Sequence, residues 1–133
     1  MPGRAIIVHD LAHALAALSA AAELGVPVTL ASAPGAAAYL GAGYFEAMVE
    51  AAREEVPDAA FDAMLDCGDA PGLALAALRQ GIGAVRLRGP RKTLAKVAEI
   101  AAAHGARLNP ETGPALDLEG EPDGRAACRD WLR

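Results

Sequence analysis

Aromatic residues are scarce in this chain: they make up 4% of its 133 residues, although 53% are hydrophobic. Alanine supplies much of that apolar fraction, so a folded core must be built from many contacts that each bury little area. The length suits one domain with a core of its own, and we expect residues 1–133 to form a single α/β domain.

Cysteines and long apolar runs are also few. The two cysteines, Cys67 and Cys128, lie far apart in the sequence, so a disulfide framework is not expected and a reducing compartment is the default. The N-terminal stretch has no long apolar region, and His13, Ser19 and Glu23 interrupt the longest alanine-rich run. This pattern predicts neither a signal peptide nor a membrane span, and we expect a cytoplasmic protein without a membrane partner.

Positive charge is in deficit, because 12 basic residues face 17 acidic ones and the net charge is −5. An acidic chain of this kind argues against a nucleic-acid partner. A small-molecule ligand remains a candidate partner, and so does a second copy of the chain, since an alanine-rich helix surface could form the face of a homodimer.

Signature motifs for nucleotides and for serine hydrolases are missing. There is no Walker A loop, and Gly41-Ala-Gly43 lacks the third glycine of a dinucleotide fingerprint and does not directly follow a strand. There is no Gly-x-Ser-x-Gly elbow either. No motif therefore names a reaction.

Short apolar runs alternate with segments of helical spacing along the whole chain. The predicted strands are Ala5–Val8, Pro27–Ala31, Phe61–Leu65, Ala84–Leu87 and Ala106–Leu108. The predicted helices begin at Leu11 and end before Gly25, and then cover Ala36–Leu40, Tyr44–Glu55, Pro71–Gln80, Arg91–His104 and Asp123–Leu132. Residues 109–122 are predicted to be an acidic loop rich in Gly and Pro that contains a candidate edge strand, Ala115–Leu118.

This alternation implies parallel strands joined by right-handed helical crossovers. Five such units are too few to close an eight-stranded βα barrel. We therefore predict a single doubly wound open sheet of about five parallel strands flanked by helices, a flavodoxin-like or Rossmann-like three-layer sandwich with strand order 2-1-3-4-5.

A ligand site is expected where strand order reverses, outside the carboxyl ends of the strands. In the predicted order this point lies between the first and third strands. The polar residues expected there are His9, Asp10, His13, Ser32, Asp66, Cys67 and Asp69.

His9 and His13 are spaced by one helical turn, which suits two ligands of one divalent metal ion, with a third ligand from Asp66, Cys67 or Asp69. The alternative is that His9 ends a strand and His13 faces solvent at a helix start. Asp10, between them, is a good helix N-cap.

Asp66 and Asp69 bracket Cys67, and two nearby carboxylates can act as an acid–base pair or hold a cation. Asp69 is more easily explained as the cap of the helix that starts at Pro71, so Asp66 is the stronger catalytic candidate. Cys67 could be a nucleophile at a helix N-terminus, although flanking carboxylates oppose its ionisation, and a buried inert thiol is the alternative.

Half of the basic residues fall between positions 79 and 96. They are Arg79, Arg86, Arg88, Arg91, Lys92 and Lys96. The stretch from Arg88 to Thr93 places cations at a helix N-terminus, where free N–H groups already favour a phosphate or carboxylate. The alternative is a solvated helix face.

The stretch from Leu65 to Gly81, Leu-Asp-Cys-Gly followed by a run of Ala and Leu and then a strand, resembles one βα unit of class II fructose-bisphosphate aldolases. In this resemblance Cys67 stands where that family has a metal-binding histidine, and Asp66 is implied to face a ligand. The chain also resembles a response-regulator receiver in length and βα count, but Asn109-Pro110 stands where that family needs Lys-Pro.

We therefore expect a domain that binds a small anionic metabolite, with lyase or aldolase-like chemistry. Its candidate catalytic residues are Asp66 and His9, its ligand-binding residues are Asp10, Ser32, Cys67, Asp69 and Arg88, and its metal ligands are His9 and His13. The alternative is a non-catalytic regulatory or interaction module that acts as a homo-oligomer.

Overall fold

The computed structural model of the chain describes residues 3–110 and 113–133 and has an α/β fold. Its strands are β1 (Arg4–Ile7), β2 (Val28–Ala31), β3 (Phe61–Asp66), β4 (Ala84–Arg86), β5 (Arg107–Asn109) and β6 (Ala115–Asp117). Its helices are α1 (Leu11–Leu24), α2 (Ala42–Glu55), α3 (Pro71–Arg79), α4 (Arg91–Ala103) and α5 (Gly124–Leu132). Within these residues, every helix is too short or too polar to cross a lipid bilayer.

The strands form one parallel sheet, flanked by helices, in the order β5-β4-β3-β2-β1-β6. The predicted α/β class is confirmed, with six strands in place of about five. The predicted strand order 2-1-3-4-5 was wrong, because β1 to β5 follow one another across the sheet in chain order. A right-handed crossover can add β2 on either side of β1, depending on the face that the helix covers, and the amphipathic pattern of the helix does not say which.

The reversal of strand order consequently lies at β1, which has β2 on one side and β6 on the other. β6 comes from the predicted acidic loop and confirms its candidate edge strand. Its register with β1 pairs Ala5 with Ala115 and Ile7 with Asp117. The part of that predicted loop at positions 111–112 lies outside the described residues.

The chain divides into two compact units. Unit 1 comprises the described residues of Met1–Ala31, Ala47–Asp62 and Gly113–Arg133. Within it α1 packs against α5, and alanines on α1 such as Ala14 and Ala17 are fully buried, which lets helices approach closely. Trp131 of α5 donates its indole N–H to the carbonyl oxygen of Ala5 over 3.0 Å.

Unit 2 comprises the described residues of Ser32–Glu46 and Ala63–Thr112. Here β3, β4 and β5 run in register, so that Asp66, Arg86 and Asn109 lie in one row across the strands. The helices α3 and α4 contact each other, and α4 also contacts β5. The row at the carboxyl ends is therefore polar, whereas neighbouring Leu65, Val85 and Leu87 are fully buried.

The elements between β2 and β3 differ most from the sequence prediction. The predicted helix Ala36–Leu40 is a single 3₁₀ turn at Ala36–Ala38. Helix α2 starts at Ala42, two residues before the predicted start, and includes Gly43. Gly41 is the break between the two because its φ of 82° is left-handed, a conformation that glycine adopts at little cost.

Candidate functional site

Asp66 lies at the carboxyl end of β3 in unit 2 and is held by the backbone around it. Its Oδ1 accepts hydrogen bonds from the N–H groups of Gly35 (3.0 Å) and Gly68 (2.9 Å). Gly68 can turn its N–H back to Asp66 because its φ of 60° is left-handed. Among the described residues, no hydrogen-bond partner is found for Oδ2. One carboxylate oxygen is thus fixed and the other is available to a ligand.

Ser32 lies beside Asp66, as the sequence predicted. Its hydroxyl accepts a hydrogen bond from the Asp66 N–H at 2.9 Å and donates to the carbonyl oxygen of Ala33 at 3.1 Å. Ser32 is 5% exposed. Its hydroxyl helps to hold the backbone of Asp66 in place at the end of β3. A direct ligand-binding role for Ser32 stays a prediction.

The environment of Cys67 disfavours a reactive thiolate at neutral pH. Its side chain is buried and its Sγ lies 3.6 Å from the carbonyl oxygen of Leu65. Burial, and secondarily the negative charge of Asp66, raise the pKa of the Cys67 thiol to about 12. The thiolate that would attack a substrate or bind a metal is therefore disfavoured, which supports the inert alternative.

Asp69 does not cap α3, contrary to the sequence analysis. The N-cap residue is Ala70, whose side chain makes no capping hydrogen bond, and Asp69 is exposed in the preceding turn. Proline favours the first helical position, so α3 starts at Pro71 and the cap position falls on Ala70, one residue after Asp69. A ligand-binding role for Asp69 stays a prediction.

Arg88 reaches back toward the same turn. Its backbone N–H donates to the carbonyl oxygen of Gly68 over 2.8 Å. Its Nη2 lies 4.0 Å from the point where a Cβ on Gly68 would stand, so the guanidinium is next to the β3–α3 turn. The structure thus brings Arg88 to the turn that contains Asp66 and Cys67.

Arg86 lies in this region, although the sequence indicated only that it belongs to the basic cluster between positions 79 and 96. It is the register partner of Asp66, and its buried Nε has no hydrogen-bond partner in the part of the chain that the structure describes. The signal in the sequence was an arginine inside the apolar strand Ala84-Val-Arg-Leu87. A charged residue in a buried strand normally needs a partner.

A second polar cluster lies in unit 1, at the point where strand order reverses. His9 follows β1, and its Nε2 lies 2.7 Å from Oδ1 of Asp117, the last residue of β6. Its Nδ1 lies 3.5 Å from Oε2 of Glu119. Both ring nitrogens of His9 therefore face carboxylates, an arrangement that fixes the ring.

The pKa of Asp117 is lowered from its ordinary value of 3.8. Partial burial acts to raise this pKa, but the hydrogen bond from the Glu119 N–H and the hydrogen bond and charge of His9 together outweigh it, with a smaller contribution from His13. The carboxylate of Asp117 is thus stabilised by the groups around it. Neither Asp117 nor Glu119 was a candidate, because the sequence did not show that β6 would pair with β1.

Asp10 and His13 are used locally. Asp10 is the N-cap of α1, as predicted, and its Oδ1 accepts from the His13 N–H over 2.8 Å. The Nδ1 of His13 accepts the backbone N–H of His9 at 3.0 Å, and the two rings meet edge to face at 5.6 Å. The Nδ1 atom of His13 and both nitrogens of His9 thus already have partners.

The residues described, 3–110 and 113–133, contain no group of three or more His, Cys, Asp or Glu side chains that could hold a metal ion. Cys67 also does not fit the metal-binding position that the aldolase resemblance implies, because its thiol is buried and hard to ionise. Metal binding by His9 and His13 stays a prediction. The candidates form two groups: His9, Asp10 and His13 in unit 1, and Ser32, Asp66, Cys67, Asp69 and Arg88 in unit 2.

The chain is similar in sequence to a known aldolase over part of that protein's length. The chain is 31% identical over 139 aligned positions to a protein of Cupriavidus necator named fructose-bisphosphate aldolase, plasmid. The match covers 91% of this chain and 40% of the relative, so the chain spans less than half of the curated protein that it matches. No model of a protein family matches the chain.

A solved structure agrees with this likeness at the level of fold. It is a putative fructose-1,6-biphosphate aldolase from Coccidioides immitis, with a TM-score of 0.64 and 17% sequence identity. The superposition covers 80% of this chain and 44% of that one. The chain therefore shares an aldolase-like α/β fold.

Proposed function

We propose that the chain binds a small anionic metabolite at the carboxyl end of β3 and catalyses an aldol-type lyase reaction, with Asp66 as the acid–base residue. The observation that carries the proposal is the position of Asp66 at a strand end. There, one of its oxygens is held by two backbone N–H groups and the other has no partner among the described residues. The similarity to a fructose-bisphosphate aldolase supports the reaction class.

The chemistry required is a proton transfer. In an aldol cleavage a base takes the proton of the hydroxyl group β to a carbonyl, the carbon–carbon bond breaks, and its electron pair moves into an enolate that later takes up a proton. Asp66 would accept the hydroxyl proton through Oδ2 and return a proton to the product. A positioned general base of this kind contributes about 10²- to 10⁴-fold to a rate.

The test compares Asp66→Asn with Asp69→Asn in an assay of fructose 1,6-bisphosphate cleavage, with and without added Zn²⁺ or Mg²⁺. Asparagine keeps an oxygen that can accept from Gly35 and Gly68, so the fold is preserved while the base is lost. We expect kcat of Asp66→Asn to fall about 100-fold or more, while Asp69→Asn, which removes an exposed charge from the same turn, retains activity.

Two results would contradict the proposal. One is turnover that Asp66→Asn leaves unchanged. The other is a wild-type protein that cleaves neither this ester nor other phosphorylated or carboxylated β-hydroxycarbonyl compounds under any metal condition, which would favour the non-catalytic module.

A further inference from the structure

The side chain of Arg86 carries a positive charge and makes no ion pair with any residue that the structure describes. Its Nε is buried, and no acceptor among residues 3–110 and 113–133 lies within hydrogen-bond distance of it. A buried donor, and above all a charged one, is costly when it has no acceptor. The buried Nε–H of Arg86 therefore costs folding free energy, and an acceptor on a bound ligand would offset that cost.

The neighbouring carboxylate of Asp66 makes no ion pair with Arg86. Asp66 and Arg86 are register partners on adjacent parallel strands, so their side chains leave the same face of the sheet about 5 Å apart at the backbone. Yet Oδ1 of Asp66 is occupied by the N–H groups of Gly35 and Gly68, and no ion pair joins Asp66 to Arg86. The positive charge of the guanidinium stays available beside the proposed acid–base residue.

The elements around Arg86 add further positive potential. Helix α4 follows β4 directly, and its N-cap, Pro90, provides no capping side chain. Its first turn has no acidic residue and begins with Arg91 and Lys92, the opposite of what a helix N-terminus favours unless an anion is bound. Arg88 brings a second guanidinium to the adjoining β3–α3 turn.

Two helices near Arg86, α3 and α4, start without a capping side chain. In unit 1, α1 and α5 are capped by Asp10 and Asp123. In unit 2, neither Ala70 before α3 nor Pro90 before α4 supplies a capping side chain. The free N–H groups of two helices thus lie at the ends of the two strands that carry Asp66 and Arg86.

We propose that Arg86, supported by Arg88 and the N-terminus of α4, forms an oxyanion-binding subsite for a carboxylate or phosphate group. The Nε–H and one Nη–H of an arginine match two oxygens of such a group. This subsite rests on the proposed function, since it would hold the anionic group of the metabolite on which Asp66 acts. It assigns recognition of the ligand to β4 and the proton transfer to β3.

The test follows the Nε–H resonance of Arg86 by ¹H–¹⁵N NMR while inorganic phosphate or acetate is added at constant ionic strength, with NaCl as the reference. A buried Nε–H exchanges slowly enough with water to be observed. We expect a saturable shift with phosphate, with acetate or with both, and the two titrations tell which oxyanion the subsite prefers. A response no larger than that to NaCl overturns the proposal.

Matched variants distinguish the contribution of the two parallel N–H donors of Arg86 from that of its charge. Arg86→Lys keeps the charge but loses the two parallel donors, and binding is then read from the backbone amides of Arg88 and Gly89. We expect its Kd to rise at least about tenfold, equivalent to about 1.4 kcal/mol. Arg79→Lys makes the same change at the exposed C-terminal end of α3 and should leave Kd unchanged. Equal binding by Arg86→Lys and wild type, with both amide spectra otherwise superimposable, overturns the proposal.

These outcomes are distinct from those of the cleavage assay. Anion binding at Arg86 without any turnover retains the subsite and rejects the aldol reaction. Turnover that depends on Asp66, without an anion response at Arg86, retains the reaction and rejects the subsite.

Discussion

Individual carboxylates in this molecule are distinguished by the N–H groups that face them. Asp66 and Asp117 both end a strand, and each accepts a backbone N–H two residues further along the chain, from Gly68 and Glu119 respectively. Asp66 takes its second hydrogen bond from another backbone N–H, whereas Asp117 takes it from the His9 ring. Both hydrogen bonds to Asp66 thus come from neutral backbone groups, whereas Asp117 is paired with a group that can carry charge.

The pairing of Asp117 with His9 should be visible in its titration. Because folding lowers the pKa of Asp117, its carboxylate contributes stability that is present above its ordinary value of 3.8 and is lost as pH falls through the lower folded-state value. In His9→Gln the pKa should move back toward 3.8, although the Glu119 N–H remains. NMR titration of the side-chain carboxyl carbon measures this.

The matched control is His104→Gln. His104 is exposed and bonded through Nδ1 to the carbonyl oxygen of Ile100, and it should leave the Asp117 midpoint in place. An Asp117 midpoint that is the same in wild type and His9→Gln would show that the 2.7 Å contact does not persist in solution.

Residue-scale prediction from the sequence succeeded where the partner is local. Asp10 caps the helix that begins at the next residue, and both groups lie within four positions. Arg86 and Asp117 were missed as site residues because their environment is set by strand register, which links positions 20 and 110 residues apart. No periodicity in the chain encodes that register.

At the scale of elements, helix starts divide into capped and uncapped ones. Asp10→Ala removes the oxygen that accepts the His13 N–H and should destabilise the protein by about 1 kcal/mol. Asp69→Ala removes a carboxylate that makes no cap and should stay within about 0.5 kcal/mol of wild type. Urea denaturation followed by circular dichroism measures both.

If Asp69→Ala costs as much as Asp10→Ala, Asp69 caps α3 in solution and the N-terminus of α3 is not free. The sequence predicted both aspartates as caps from the same signal, an Asp shortly before a helix. The difference arises because proline favours the first helical position, so α3 starts at Pro71 and the cap position falls on Ala70. Such one-residue shifts of a helix start are beyond a pattern of residue types.

Element existence and type were otherwise predictable, since β-branched runs and helical spacing are local. Their arrangement was not. The amphipathic pattern of α1 indicates that one face of the helix is buried. It does not indicate on which side of β1 the next strand is added. The reversal of strand order was predicted between the first and third strands. In the structure it lies at β1, between β2 and β6.

At the scale of the whole molecule, the expectation of a single domain predicts that the chain unfolds in one cooperative transition. The chain has one tryptophan, Trp131, and its indole N–H is bonded within unit 1 to the carbonyl oxygen of Ala5. Tryptophan fluorescence should therefore report on unit 1, whereas far-ultraviolet circular dichroism reports on helices of both units. We expect the two urea transitions to coincide, as in one cooperative domain.

Separate midpoints would show that units 1 and 2 unfold independently, and residues 1–133 would then be two domains. Trp131→Phe with a tryptophan introduced at the exposed Tyr39 of unit 2 provides the reciprocal probe. Its fluorescence transition should match that of the wild type if the chain is one domain.

The pairing of β6 with β1 affects the order in which the two units can fold during translation. Unit 1 is assembled from three separate segments of the chain, and its last segment starts at Gly113. While a ribosome is still making residues before that point, β1 lacks one neighbour and α1 lacks α5, the helix that covers it. The last segment of unit 2 ends at Thr112, so all of its residues leave the ribosome before unit 1 is complete. Long-range pairing of this kind is slow to form, and we expect unit 1 to acquire protease resistance last during translation.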